Sequence, residues 1–204
     1  MSYVPLDPGN AVVLFADLQA GILELSATCE PARLRRAVGA LAKLSQIFHI
    51  PAVVTTAPSD SGEPRVTPEI AASVGVLPSH TRTTTDAFMD PATREAIAQT
   101  KRKTLLIAGV ATEVIVQHSA LSAVAQGYDV QIVIDACGGL SQRTEDAALR
   151  RLGQAGVVTT STASIAGQLA GDFSQPRGRQ AIGVLYEIAK AEGIRNFDPL
   201  GVRA

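Results

Sequence analysis

The chain has 204 residues, 46% hydrophobic and 18% charged, with a formal net charge of -1. That length and apolar share suit one packed domain over 1–204. There is no basic excess to neutralise phosphates and only 4% aromatics, so nucleic acid is excluded as the expected partner.

The elements alternate along the chain. AVVLFA (11–16) is a continuous apolar run and predicts a strand buried on both faces. PARLRRAVGALAKLSQIF (31–48) places Leu34, Val38, Leu41 and Leu44 at helical spacing. AVVTT (52–56) is a second strand, entered through Pro51. The segment 57–90 holds Pro58, Gly62, Pro64, Pro68 and Pro78 and reads as the least regular part, with 79–88 as a short strand leading back to the sheet. DPATREAIAQTK (90–101) opens a helix with Asp90 as N-cap and Pro91 at the first helical position. TLLIAGV (104–110) is the third main strand, and a helix over 112–126 follows, with Thr112 as N-cap and Gly127 as C-terminal cap. VQIVIDA (130–136) is the next strand. SQRTEDAALRRLGQA (141–155) is a helix with Ser141 at its start and Glu145 and Asp146 near its positive end. VVTTS (157–161) is the last strand, and helices at 162–170 and 179–192 complete the chain.

Strands alternating with helices predict a three-layer α/β/α sandwich around a central, mainly parallel sheet of Rossmann-like topology. Ligands of such sheets bind beyond the carboxyl ends of the strands. The residues there are Asp17, Thr55 and Thr56, Gly109 to Thr112, and Asp135 to Gly138. No apolar run approaches the about 20 residues that span a bilayer. MSYVPLDPGN lacks the basic and apolar regions of a secretory signal. Cys29 and Cys137 lie far apart without paired-ligand spacing, so a cytoplasmic protein without membrane partner or disulfide framework is expected.

Asp17 follows the first apolar run, where poor solvation raises a carboxyl pKa and makes an acid or base. It could equally cap the turn that leaves the strand. Arg82, in SHTRTTTDAF, could pair with Asp17, clamp a carboxylate at two points, or be a solvated loop residue. Thr112 and Glu113 open the next helix, Glu113 suiting its positive end, and the first-turn amides near Thr112 could stabilise an oxyanion or bind a carboxylate, since the first turn of a helix leaves its N–H groups unpartnered. Ile115, one turn on, has no chemistry of its own and reads as core. Cys137 reads as a small buried filler more than a nucleophile. His49, His80 and His118 share no spacing, so no metal site is expected. The chain has no P-loop, no GxGxxG after the first strand and no GxSxG elbow, which leaves no nucleotide cofactor and no α/β-hydrolase reading.

Taken together, AVVLFADLQ and LLIAGVATEVIVQHSALSAVAQGYDVQIVIDAC resemble the isochorismatase-like family of cysteine hydrolases, over about residues 10–170. The resemblance implies an aspartate–lysine–cysteine triad, a non-proline cis peptide in the turn before Thr112, and frequent homo-oligomers. It places the aspartate at Asp17, the lysine at Arg82 and the nucleophile at Ile115, with substrate contacts at Gln19, Ala111 and Thr112. Arginine keeps the charge of lysine but does not deprotonate. Isoleucine excludes thiol catalysis. The metal motif of nicotinamidases is absent from TTAPSDSGEPR, and no cofactor is implied. Two readings stay open. In one, the chain hydrolyses a small anionic substrate without a covalent intermediate, with Asp17 as acid or base, as true isochorismatases cleave a vinyl ether. In the other, it is catalytically inactive and acts as a ligand-binding or oligomeric structural protein.

Overall fold

The computed structural model describes residues 5–60, 62–75 and 77–194. Six parallel strands form the sheet in the order β3-β2-β1-β4-β5-β6. They are β1 (Ala11–Ala16), β2 (Ala52–Thr56), β3 (Ser79–Thr81), β4 (Thr104–Val110), β5 (Asp129–Gly138) and β6 (Val158–Thr160). Among the described residues, seven α-helices cover its faces: α1 (Pro31–Phe48), α2 (Pro68–Val74), α3 (Pro91–Gln99), α4 (Gln117–Ala125), α5 (Gln142–Gln154), α6 (Thr162–Ala170) and α7 (Pro176–Ala191). The three-layer sandwich is the one expected from the alternating pattern. None of the described helices is long and apolar enough to cross a membrane.

Side chains of a strand alternate between its faces, and β1 shows why its run is apolar throughout. Val13 and Phe15 enter one core with Leu34, Val38 and Leu41 of α1, Ile165 of α6 and Val184 of α7. Val12, Leu14 and Ala16 enter the other with Ile97 of α3, Ala120 of α4 and Leu152 of α5. Every residue of β1 is buried. Full burial on both faces removes any need for polar alternation.

Helix starts follow their caps. Glu30 accepts from Ala32 N and Arg33 N at 3.0 Å each, Asp90 accepts from Thr93 N at 2.8 Å, and Ser141 accepts from Thr144 N at 3.2 Å. The segment 57–90 holds, among its described residues, only α2, β3 and a 3-10 turn, as its prolines suggest, and Pro68 sits in the first turn of α2, where its missing N–H costs nothing. Two expectations are corrected. The strand in 79–88 covers only 79–81, after which the chain turns through a 3-10 segment at Ala87–Met89. Thr112 is not an N-cap. Residues Thr112–Val116 form a π turn flanked by Ala111, and the Thr112 hydroxyl donates to Glu145 Oε1 at 2.7 Å instead of accepting from the helix. A carboxylate on the neighbouring helix outcompetes backbone N–H groups for this hydroxyl.

β5 runs longer than its apolar stretch. Against β4 it pairs Ile132 with Ile107 and then Cys137 with Gly109, so β5 advances five residues while β4 advances two. This bulge delivers Asp135 to the carboxyl edge of the sheet.

Candidate functional site

The strand order reverses between β1 and β4, the place where open α/β sheets bind ligands. Ala16 pairs with Gly109, so Asp17 and the turn after β4 lie side by side. A Cβ on Gly109 would stand 2.5 Å from Ala16 O, so only glycine allows this approach. Beyond it, the Val110–Ala111 peptide is cis.

Asp17 leaves β1 with φ 55, a left-handed conformation that Asp tolerates better than most residues. Its N–H donates to Thr55 O at 2.9 Å. Its carboxylate is buried, at 6% exposure, and its Oδ2 accepts from Arg82 Nη2 in an ion pair. Arg82 is 5% exposed, and its Nη1 donates to Thr84 O. Two atoms of this pair are buried without a hydrogen-bond partner: Asp17 Oδ1 and Arg82 Nε. Burial raises the Asp17 carboxyl above its ordinary range, and the charge and hydrogen bond of Arg82 pull it back only in part.

The loop carrying Arg82 is fixed from beneath. Asp86 accepts from Phe88 N at 2.8 Å and from Ser122 Oγ at 2.5 Å, while Ala87 N donates to Ser119 Oγ at 2.9 Å. α4 therefore holds the loop that brings Arg82 across to Asp17. In the sequence, neither Asp86 nor its serines carries an expected role.

The other expected site residues divide. Ala111 lies directly after the cis bond, two residues beyond Gly109, which pairs with Ala16. Gln19 is buried but serves the backbone: it donates to Ala57 O at 3.0 Å and accepts from Ala57 N at 2.9 Å, tying the exits of β1 and β2 together. Thr112 is bound to Glu145, so its hydroxyl is already engaged. Ile115 is 1% exposed and joins the core that contains Ala16, Ala87, Phe88 and Val116. His80 lends its carbonyl to Thr55 Oγ1 at 2.9 Å within the β2–β3 edge. Cys137 is buried and packs in the same core as Ile115; burial pushes its thiol far up, which disfavours a thiolate.

Glu113, expected only as a charge at the positive end of the helix, makes a second polar link beside the turn. Glu113 Oε1 accepts from Leu140 N at 2.9 Å and from Thr144 Oγ1 at 2.6 Å, and with the Thr112–Glu145 bond it ties the π turn to the start of α5. Glu113 Oε2 is buried and unpartnered. The spacing from the turn to Glu145 carries no local signal, because the contact exists only once β5 has folded back. Among the described residues, no group of three or more His, Cys, Asp or Glu side chains could hold a metal.

Similarity to known proteins agrees with this geometry. The Isochorismatase domain matches residues 11–164. A probable hydrolase of Escherichia coli, YcaC, is 36% identical over 172 residues, covering 84% of this chain and 83% of the relative. Its crystal structure, described as an octameric hydrolase of unknown specificity, superposes with a TM-score of 0.82 over 93% of this chain and 91% of that one. YcaC from Pseudomonas aeruginosa, solved with hexane-2,5-diol and covalent acrylamide, gives 0.84 at 31% identity over 95% of this chain and 98% of that one. The chain is a member of the isochorismatase family.

Proposed function

We propose that the chain is a hydrolase-like family member without thiol chemistry, in which Ile115 occupies the nucleophile position and Asp17 is the acid or base. The observation that carries this reading is Asp17 itself. It is buried, oriented by Arg82, and leaves Oδ1 without a partner at the switch point of the sheet. An unsatisfied buried acceptor costs about 1–3 kcal/mol, and a substrate proton would satisfy it. The raised carboxyl moves toward the range in which one group both gives and takes a proton. In this reading Arg82 takes the place of the family lysine, and the edge at Ala111 bounds the substrate. Because the ion pair is neutral as a unit, Arg82 is a positioning group for Asp17 more than an anchor for an anionic substrate.

The test compares the wild type with Asp17→Asn on isochorismate and on a panel of aromatic and aliphatic primary amides. Turnover that disappears in the variant with an unchanged circular dichroism spectrum supports the reading; turnover that survives sinks it. Ile115→Cys checks the position independently. The Pseudomonas aeruginosa relative was solved with covalent acrylamide, so the variant should acquire an acrylamide adduct at residue 115 that the wild type lacks.

The second reading, an inactive family member with a binding or structural role, rests on Ile115. Its side chain belongs to the core, at 1% exposure, and fills rather than lines. In either reading we expect a homo-oligomer, as the octamer of the Escherichia coli relative suggests. Light scattering coupled to size exclusion measures the assembly directly.

A further inference from the structure

Asp86 is a buried charge that proton transfer at Asp17 does not itself use. It is 6% exposed, and no ion pair of the described residues includes it. A buried carboxylate needs donors, and Asp86 has one for each oxygen. Oδ1 accepts from Phe88 N at 2.8 Å, which caps the 3-10 turn Ala87–Met89. Oδ2 accepts from Ser122 Oγ of α4 at 2.5 Å. The first bond is local, and capping explains it. The second reaches across 36 residues of chain and has no part in the cap. Ser119, fully buried and one turn earlier on α4, accepts from Ala87 N at 2.9 Å. Residues three apart on a helix share a face, so α4 presents two hydroxyls to this loop.

From Asp86 the bonds run on to the ion pair. Thr84 Oγ1 donates to Asp86 O at 2.7 Å, and Thr84 O accepts from Arg82 Nη1. Arg82 Nη2 donates to Asp17 Oδ2. The guanidinium is held at two corners, one by Asp17 and one by the loop that Asp86 anchors. An arginine side chain has many rotamers to lose, and a fixed carbonyl at the second corner leaves it fewer. The start of α4 meets the other half of the site. Gln117 N donates to Thr112 O and Val114 O, and Gln117 Nε2 donates to Glu113 O at 3.2 Å. Residues 117–122 therefore join the π turn to the loop of Arg82.

We infer that Asp86 and Ser122 are positioning residues of the site: through Thr84 they fix where the Arg82 guanidinium stands, and so how fully the charge of Asp17 is compensated. The inference rests on the reading of Asp17 as the acid or base and adds that α4 sets the alignment of the pair.

The test is a double-mutant cycle, read by urea unfolding at neutral pH and one protein concentration. A serine that only stabilises its surroundings costs the same whether residue 17 is charged or not, and sites without shared partners add to within about twofold in the unfolding constant. Ser122→Ala should raise that constant at least about threefold more in the wild type than in Asp17→Asn, because only the wild type has a carboxylate for Arg82 to lose. Thr84→Val, which keeps the volume and the carbonyl, should show the same excess. Ser122→Thr keeps the hydroxyl and should remove it. Ser161→Ala, which deletes the cap that accepts from Ser164 N at the start of α6, is the structural control and should cost the same in both backgrounds. An excess below about threefold in either Ser122→Ala or Thr84→Val overturns the inference, as does an excess that persists in Ser122→Thr or appears equally in Ser161→Ala. The cycle needs no substrate, so its failure is separate from that of the reading of Asp17, which turnover in Asp17→Asn would sink.

Discussion

Replacing Ile115 by alanine separates a filled site from an open one. The side chain is 1% exposed and belongs to the core formed by β1, β4 and α3 to α5. Truncating a buried isoleucine costs about 2–5 kcal/mol, the larger values arising where the surroundings cannot collapse. Collapse is restricted here. Ala16 belongs to a strand paired on both sides, Phe88 is held by Asp86 and Ser119 through the backbone of its loop, and Val116 shares the same π turn. We therefore expect a loss of about 3 kcal/mol, which for a chain of this length lowers Tm by about 6–12 °C. Ile115→Val should cost about 1 kcal/mol. Ile134→Ala, at a position 44% exposed on β5, is the control and should stay within about 0.5 kcal/mol. Scanning calorimetry at one fixed protein concentration gives the comparison, because assembly also contributes to Tm. A fall of less than about 2 °C for Ile115→Ala would refute the reasoning. The side chain would then border a water-filled pocket, and the space for a substrate would be larger than its burial indicates.

Three further outcomes follow from named contacts. Arg82→Met strands Asp17 in the interior and should cost about 3–5 kcal/mol at neutral pH, with much of the loss returned in the Asp17→Asn/Arg82→Met double variant. Without the guanidinium the Asp17 carboxyl rises further, so the native state holds its proton more tightly than the unfolded chain. The stability of Arg82→Met should therefore fall as pH rises from about 3.9 through the raised value and recover on acidification; urea titrations across that range that show a rise instead would contradict the pairing. Gly109→Ala drives a Cβ to 2.5 Å from Ala16 O and 3.2 Å from Val116 Cγ2, and should lose at least the about 1–3 kcal/mol of overpacking. An unchanged urea midpoint would show that β1 and β4 do not approach this closely. Cys137, with its thiol raised by burial, should resist iodoacetamide at pH 8 in the native protein and react only in urea; mapping of native adducts to Cys137 would overturn that.

The sheet was readable because burial on both faces leaves its mark on each strand separately. AVVLFA is apolar at every position, and the two cores take its residues in turn. Caps were readable for the same local reason, as Asp90 and Ser141 show. What the sequence hid is what depends on contacts between distant segments. Thr112 is a good N-cap by residue type, yet Glu145, thirty-three residues on, takes its hydroxyl. Gln19 is placed beside the site by sequence, but folding spends both of its polar atoms on Ala57. The bulge of β5 cannot be seen in VQIVIDA, because nothing within that run says where its partner strand stops advancing. Asp17 and Arg82 were both visible as candidates; that their side chains meet is a property of β3 lying two strands from β1, with the next loop pinned on α4.

Asp17 and Ile115 pull in opposite functional directions until the energetics of each is weighed. A buried ion pair is weak evidence for stability, since apolar residues of similar volume often do as well or better by about 1–4 kcal/mol. A site merely closed and repacked has no need for Asp17 and Arg82, still less for an orphaned Oδ1 and Nε. Ile115, by contrast, is a residue that packing alone explains, and it removes nothing that proton transfer requires. The two are compatible if the chemistry at this edge runs through a carboxyl proton. They conflict only if it must run through a covalent adduct. The decisive contrast is therefore between Asp17→Asn and Ile115→Ala: the first should remove turnover, with a stability loss set by the Arg82 charge it leaves buried, while the second should lower stability without touching the carboxyl proton.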